Sequence, residues 1–252
     1  MNAVIRTLLA HRSIRSYVDT PIPEEYLGHI VKSVQAAPNW VNFQLVSIVA
    51  VKNKERRAVF SRLCDNQKQI VEAPVFLIFC ADYHRVHLAS QKAGINFDTV
   101  FEDIDPLIVA AHEVGIAVGT AVAAAESLGL GSVVIGDVRK NATEVVKELS
   151  LPKYVVPILG LCLGYANEEP GLKPRLSQEA IYFEERYNSD THTLIDDYDE
   201  QYSRYLKIRP FNNRVGNWSE MASEFYATPY HYHGVADMLR QQGLLPYLKS
   251  GQ

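Results

Sequence analysis

The chain has 252 residues, 47% apolar and 21% charged, which excludes a disordered tail, a collagen-like repeat and a disulfide mini-protein. At roughly 150 residues per domain, this length fits one large α/β domain or two small ones. Acids outnumber bases 29 to 25 for a net charge of −4, which disfavours a nucleic-acid backbone as partner and raises the question of why arginines gather in short clusters.

Residues 2–10 alternate apolar and polar positions at helical spacing and end at His11. Pro21-Ile22-Pro23-Glu24-Glu25 has the proline and acids of a helix start, and Leu27, Ile30, Val31 and Val34 continue a 3.6-residue period, predicting a helix over 24–36. Pro38 to Asn42 is a loop, Leu45 to Val51 a β-branched strand, and 54–63 a short amphipathic helix. Pro74 to Ala81 reads as a strand buried on both faces. Residues 83–105 have no clean period and read as a mobile excursion covering something. Asp105-Pro106 is an N-cap followed by proline, opening a helix to about Leu128. Around Gly115-x-x-x-Gly119 this helix is apolar on nearly every face and poor in bulk, as a buried helix is. Gly129 to Gly131 ends it. A strand over Ser132–Val138 containing Gly136, a helix over 141–150 and a buried strand over Val155–Leu163 follow. Beyond about residue 180 tyrosine and acid rise, as in an extended arm with surface helices.

The odd count of three cysteines, Cys64, Cys80 and Cys162, without a C-x-x-C pair, points to buried reduced thiols rather than a disulfide framework. No signal-peptide pattern opens the chain. Its longest uncharged run, Ser33 to Val51, carries polar residues that lipid would not tolerate, so a soluble cytoplasmic protein away from membranes is expected. His11-Arg12-Ser13-Ile14-Arg15 puts two guanidinium groups and a hydroxyl in a turn, which fits either a solvated surface or a phosphate site. Lys173-Pro174-Arg175 is a second cationic pair open to the same two readings. Gly129-x-Gly131 follows a helix rather than a strand, so it is no dinucleotide turn, whereas Gly136 within a strand suggests close approach by another group. His112-Glu113 lacks the second histidine of a metalloprotease motif, His231-x-His233 reads as surface histidines, and no nucleophile elbow or carboxylate pair stands out. No metal site is expected. If the chain is an enzyme, its chemistry belongs to a bound organic cofactor.

Five segments in order, His11 to Tyr17, Gln35 to Pro38, Ala124 to Gly131, Leu161 to Gly164 and Lys173 to Leu176, resemble the nitroreductase superfamily. More narrowly, they resemble its NADPH-dependent oxygen-insensitive nitroreductases and NADPH–FMN oxidoreductases. The likeness runs nearly full length, through Tyr198-Asp199-Glu200-Gln201 and Asn217-Trp218-Ser219. It implies a single α+β domain with a mixed central sheet flanked by helices. It also implies an intertwined homodimer binding FMN at two sites between subunits, with helix 107–128 at the dimer core and 180–252 embracing the partner. Carried over by motif, His11, Arg12, Ser13 and Arg15 would contact the FMN phosphate or the flavin, and Lys173 and Arg175 the phosphate and ribityl end. Gln67 would bond the isoalloxazine edge, and Gly136 would let the backbone approach the reactive face. Arg209 and Arg214 would hold NADPH.

The chain departs from its relatives at Pro38 to Asn42, where many carry serines, leaving Asn39 as a donor to flavin oxygens. It departs again at Asp137, where many carry a second glycine, which adds negative charge beside the flavin and bears on preference for anionic acceptors. The activity implied is ping-pong hydride transfer from NADPH through FMN to nitroaromatics, quinones, free flavin or azo compounds, with water as proton source and no catalytic side chain. A divergent flavin chemistry (fragmentation, dehalogenation or dehydrogenation) and a non-catalytic flavin-binding protein are the alternatives. An NADPH-bleachable yellow protein separates the first reading from the others.

Overall fold

The computed structural model describes residues 1–97, 99–229, 232 and 234–245. The chain divides into two compact units, Met1–Glu168 with Tyr232–Gln252, and Glu169–His231.

In the first unit the elements run α1 (Ala3–Leu9), α2 (Glu24–Gln35), β1 (Val46–Val51), α3 (Lys54–Leu63), α4 (Lys68–Glu72), β2 (Val75–Asp82), α5 (His84–Ala93), α6 (Asp105–Ser127), β3 (Gly131–Ile135), α7 (Ala142–Glu148) and β4 (Val155–Gly164). The strands form one sheet in the order β1-β2-β4-β3. All three ladders are antiparallel, and the parallel component of the expected mixed sheet is a single bridge between Ser13 and Ser132.

Every residue of β2 is buried, because helices cover both faces of the sheet. Leu77, Phe79 and Ala81 point to a core shared with Ile30 of α2 and Ala110, Val114, Ala117 and Ala121 of α6. Phe76, Ile78 and Cys80 point the other way, to Phe60 of α3, Ile70 of α4 and Val145 of α7. The period-2 geometry of a strand therefore gives two cores, one on each side. All three cysteines are buried and unpaired, and burial pushes the Cys64 and Cys80 thiols up to about 12.

Four expectations change. First, 83–105 contains the ten-residue helix α5, whose start is held by the preceding strand. The Asp82 carboxylate accepts the His84 and Arg85 backbone N–H groups at 2.9 and 3.4 Å, and Arg85 Nη1 donates to it at 2.7 Å. Second, α6 begins at Asp105 itself, so its N-cap is Ile104. Third, β3 stops at Ile135 and Gly136 opens a 3-10 turn to Arg139, so Gly136 sits at the strand's end rather than inside it. Fourth, α6 is not buried all round. It is the one helix among the described residues long and apolar enough to cross a membrane, yet it packs across all four strands. Its buried face runs through Val109, Glu113, Ala117 and Ala121, while Ile104, Ile108 and Ile116 are exposed.

The second unit holds α8 (His192–Ile208) and α9 (Trp218–Tyr226) around a small core of Tyr198, Tyr202 and Leu206. Trp218 packs edge-on against Tyr198 at 5.8 Å, and Asp199 accepts the Ser219 N–H at 2.8 Å. Asn217 caps α9 through Glu220 N. The last helix, α10 (Val235–Gln241), returns to the first unit against α7. There Gln242 donates from Nε2 to the Pro152 and Val155 carbonyls, both at 2.7 Å.

Candidate functional site

The segment from His11 to Tyr17 has no regular structure of its own and is tied down along its length. His11 Nδ1 lies 2.6 Å from Glu126 Oε1 of α6, and Ser132 Oγ donates to the same oxygen at 3.3 Å. An ionised carboxylate only accepts, so this contact puts the imidazole proton on Nδ1 and leaves Nε2 for other partners. Ile14 N donates to Ser132 O at 2.8 Å. The Glu168 carboxylate accepts the backbone N–H groups of Arg15 and of Ser16, the latter at 3.2 Å. The Tyr17 hydroxyl donates to Ile14 O at 2.6 Å, and burial raises that phenol above its usual range.

Two glycines make room for this strap. A Cβ on Gly131 would lie 2.7 Å from Ile14, and one on Gly164 would lie 2.8 Å from Tyr17 and 2.7 Å from Pro74. The anchoring acids are thus engaged by neutral donors and the imidazole, while Arg15 is exposed and Arg12 half-buried beside Ser13. A segment rich in N–H and O–H donors and fixed by its backbone suits an anion such as a phosphate.

The far end of β3 carries a second cluster. Gln67 follows Asp65 and Asn66, which hold left-handed φ values of 65° and 58°, a conformation these residue types tolerate. Ser61 Oγ donates to the Gln67 carbonyl at 2.8 Å and fixes the backbone. The Gln67 side-chain amide donates to Asp137 Oδ2, and Gln69 Nε2 donates to Gln67 Oε1. Tyr232 donates its hydroxyl to Asp137 Oδ1, and Arg139 stands 5.9 Å from the Tyr232 ring. At Gly136 the nearest atom to an added Cβ is the Tyr232 hydroxyl, at 4.0 Å. Ser132 and Gly136 are joined by β3, which spans about 13 Å over that length. The strap and the Gln67 corner therefore sit at the two ends of one strand, a spacing that suits an extended ligand with an anionic end and a planar ring.

A groove of about 790 Å³ between α2 and β1 is lined by Asn39, Gln44, Arg85, Glu113 and their neighbours, and by none of His11 to Arg15, Gln67 or Gly136. The Asn39 side chain accepts from Gln44 N at 3.3 Å. The loop itself is held by Glu113, which is 2% exposed and accepts the Trp40 N–H at 2.6 Å and the Leu45 N–H at 3.0 Å. Sequence reasoning missed this residue. The signal was a lone acid on the apolar face of α6, read only against a metalloprotease template.

Lys173, Arg175, Arg209 and Arg214 lie in the second unit. The Tyr198 hydroxyl donates to Pro174 O at 2.9 Å and fixes the turn between Lys173 and Arg175. Burial and neighbouring Tyr202 raise the Tyr198 phenol, with Arg175 opposing. Arg209 lies over the Tyr205 ring at 6.0 Å, donates to Asn212 O and keeps a buried Nε without a hydrogen-bond partner. Arg214 Nη2 lies 2.8 Å from Met221 Sδ, and its backbone N–H donates to Leu206 O. His231 and His233 lie outside the described residues.

Comparison with known proteins gives a consistent result. The FMN reductase (NAD(P)H) of Bacillus subtilis (strain 168) is 44% identical over 245 residues, covering 96% of this chain and 98% of its own length. The NADPH-flavin oxidoreductase of Vibrio harveyi is 34% identical, covering 99% and 98%. The solved structure of B. megaterium NfrA2 superposes with a TM-score of 0.94 at 41% identity, covering 97% and 99%. Residues 8–165, which carry the strap, the Gln67 corner and the whole sheet, match the Nitroreductase family, and residues 173–246 match the C-terminal domain of the Nitroreductase family. With both parts of its length matched in order, this chain belongs to the nitroreductase family.

Proposed function

We propose that this chain is an FMN-dependent oxidoreductase that takes hydride from NADPH and passes it to small acceptors such as nitroaromatics, quinones, free flavin or azo compounds. The observation that carries this reading is β3, with the donor-rich His11–Arg15 strap at one end and the Gln67–Gly136 corner at the other. The names of the relatives, an FMN reductase and an NADPH-flavin oxidoreductase, support it. FMN, when bound, supplies the two-electron chemistry that no side chain here could provide.

The chain's own residues bind and orient. Arg12, Ser13 and Arg15 hold the phosphate, with His11 available at Nε2, and Lys173 and Arg175 reach the phosphate and ribityl end. Gln67 holds the ring edge, and Gly136 leaves the ring face uncrowded. Arg209 and Arg214 read the NADPH phosphate, and Asn39, from the groove between α2 and β1, donates to the oxygens of a flavin shared between subunits. A single face serving donor and acceptor in turn gives ping-pong kinetics.

The assembly is a homodimer in which the segment from residue 180 supplies an arm. Its support is the apolar surface left on α6 and its N-cap (Ile108, Ile116 and Ile104) and on α1 (Val4, Leu8, Leu9), which would be costly to keep in water. The protein works in the cytoplasm on small molecules, with no nucleic-acid or membrane partner. The test is anaerobic: the purified protein carries FMN or binds it when added, and NADPH bleaches its visible absorbance. A flavin-loaded protein that NADPH leaves yellow refutes the oxidoreductase reading.

A further inference from the structure

We propose that Asp137 is a positioning residue of the flavin site, acting through Gln67. This rests on the reading of Gln67 as the contact to the flavin edge. The residue lies in the turn after β3, half-buried, with its two carboxylate oxygens divided between two partners. Oδ2 accepts from the Gln67 side-chain amide and Oδ1 from the Tyr232 hydroxyl.

A primary amide has two chemically opposite ends, and a contact at the wrong end turns an attraction into a clash. An ionised carboxylate accepts and never donates, so beside Asp137 only the nitrogen of Gln67 can face it. Gln69 settles the other end, because its Nε2 donates to Gln67 Oε1. Both ends of Gln67 are thereby specified, and one N–H of Nε2 and one lone pair of Oε1 remain for a ligand. A flavin's pyrimidine edge alternates carbonyl and N–H groups, so it accepts one and donates to the other, provided that the amide does not rotate. The glutamine thus presents a fixed pair rather than an averaged one.

The same carboxylate has an electrostatic consequence. It stands one hydrogen bond away from the amide that meets the ring. A negative charge at that distance in a partly shielded corner disfavours adding electrons to the flavin. Asp137 thus lowers the midpoint potential of the bound cofactor relative to a neutral residue. Tyr232 supplies the second bond that keeps the carboxylate in place, and α10, which follows it, is docked on the first unit by Gln242.

The experiment combines flavin-fluorescence titrations with full-length protein and redox titrations of the FMN-loaded protein. Asp137→Ala is expected to weaken FMN binding about tenfold in the parent chain and less than twofold in a Gln67→Ala background, the signature of residues acting in series. Asp137→Asn, nearly isosteric and at a half-buried position, is expected to move the midpoint potential to more positive values. The proposal is overturned if Asp137→Ala costs the same with and without Gln67. It is also overturned if Asp137→Asn leaves the potential unchanged. If Gln67→Ala itself alters neither affinity nor potential, the placement of Gln67 at the flavin falls, and this inference falls with it.

Discussion

Replacing Glu113 by glutamine isolates a single interaction in the loop that carries Asn39. The parent carboxylate accepts two backbone N–H groups, from Trp40 and Leu45, and Leu45 is almost fully buried. Hydrogen bonds to a charged acceptor contribute about 1.5–3 kcal/mol each, so the pair is worth about 3–6 kcal/mol. It acts against strain, because Val41, Asn42 and Gln44 all have positive φ (39°, 62° and 55°), at about 1–3 kcal/mol per residue, with β-branched Val41 the worst placed. Glutamine keeps one acceptor and turns the other end into a donor facing an N–H. One bond is lost and the loop's balance tips toward release. The expected destabilisation is about 2 kcal/mol, a fall in Tm of roughly 4–8 °C for a chain of this size. The assay is thermal unfolding together with amide hydrogen exchange at Trp40 and Leu45, where protection should fall at one or both. A Tm within 1 °C of the parent, with both amides still protected, refutes the idea that the carboxylate holds the loop.

Other outcomes are expected from the same geometry. Gly164→Ala drives a methyl group into Tyr17 and Pro74, so it should cost about 1–3 kcal/mol in denaturant unfolding and also lower FMN occupancy; normal stability would mean that the strap has room to spare. Arg15→Ala should weaken FMN binding about tenfold or more by loss of a charge-assisted phosphate contact, and unchanged occupancy in the purified protein would remove Arg15 from the phosphate site. Arg209→Ala and Arg214→Ala should raise KM for NADPH more than for NADH, and equal effects would mean that neither arginine reads the extra phosphate. Ile116→Glu puts a charge on the exposed apolar face of α6 and should convert a dimer to monomers in sedimentation; an unchanged sedimentation coefficient would place the dimer contact elsewhere.

Much of the scaffold was legible because burial writes itself into local pattern. The helix Lys54–Leu63 falls on its predicted residues, and β2 shows as an unbroken apolar run because both of its faces are covered. Helix α5 was not legible because its first turn is held by Asp82 from the preceding strand, so no capping residue stands at its own start. The exposed face of α6 was hidden for a different reason: an apolar residue looks the same whether it meets its own chain or water. At the site, His11 to Arg15 stood out by composition, but what holds it did not. Glu126 and Glu168 bond to residues 115 and 153 positions away, and no local pattern reports such pairs. The bond from Tyr232 to Asp137, across 95 residues, was invisible for the same reason.

These long separations also order events in time. The strap leaves the ribosome well before its last anchor, Glu168, which follows 153 residues after Arg15. At 5–20 residues per second that interval is about 8–30 s. Throughout it the strap lacks this anchor, and the loop-closure entropy of holding it has yet to be repaid. The His11–Arg15 strap is therefore made before it can be fixed, and any anion it holds would meet a nearly complete first unit rather than a nascent one.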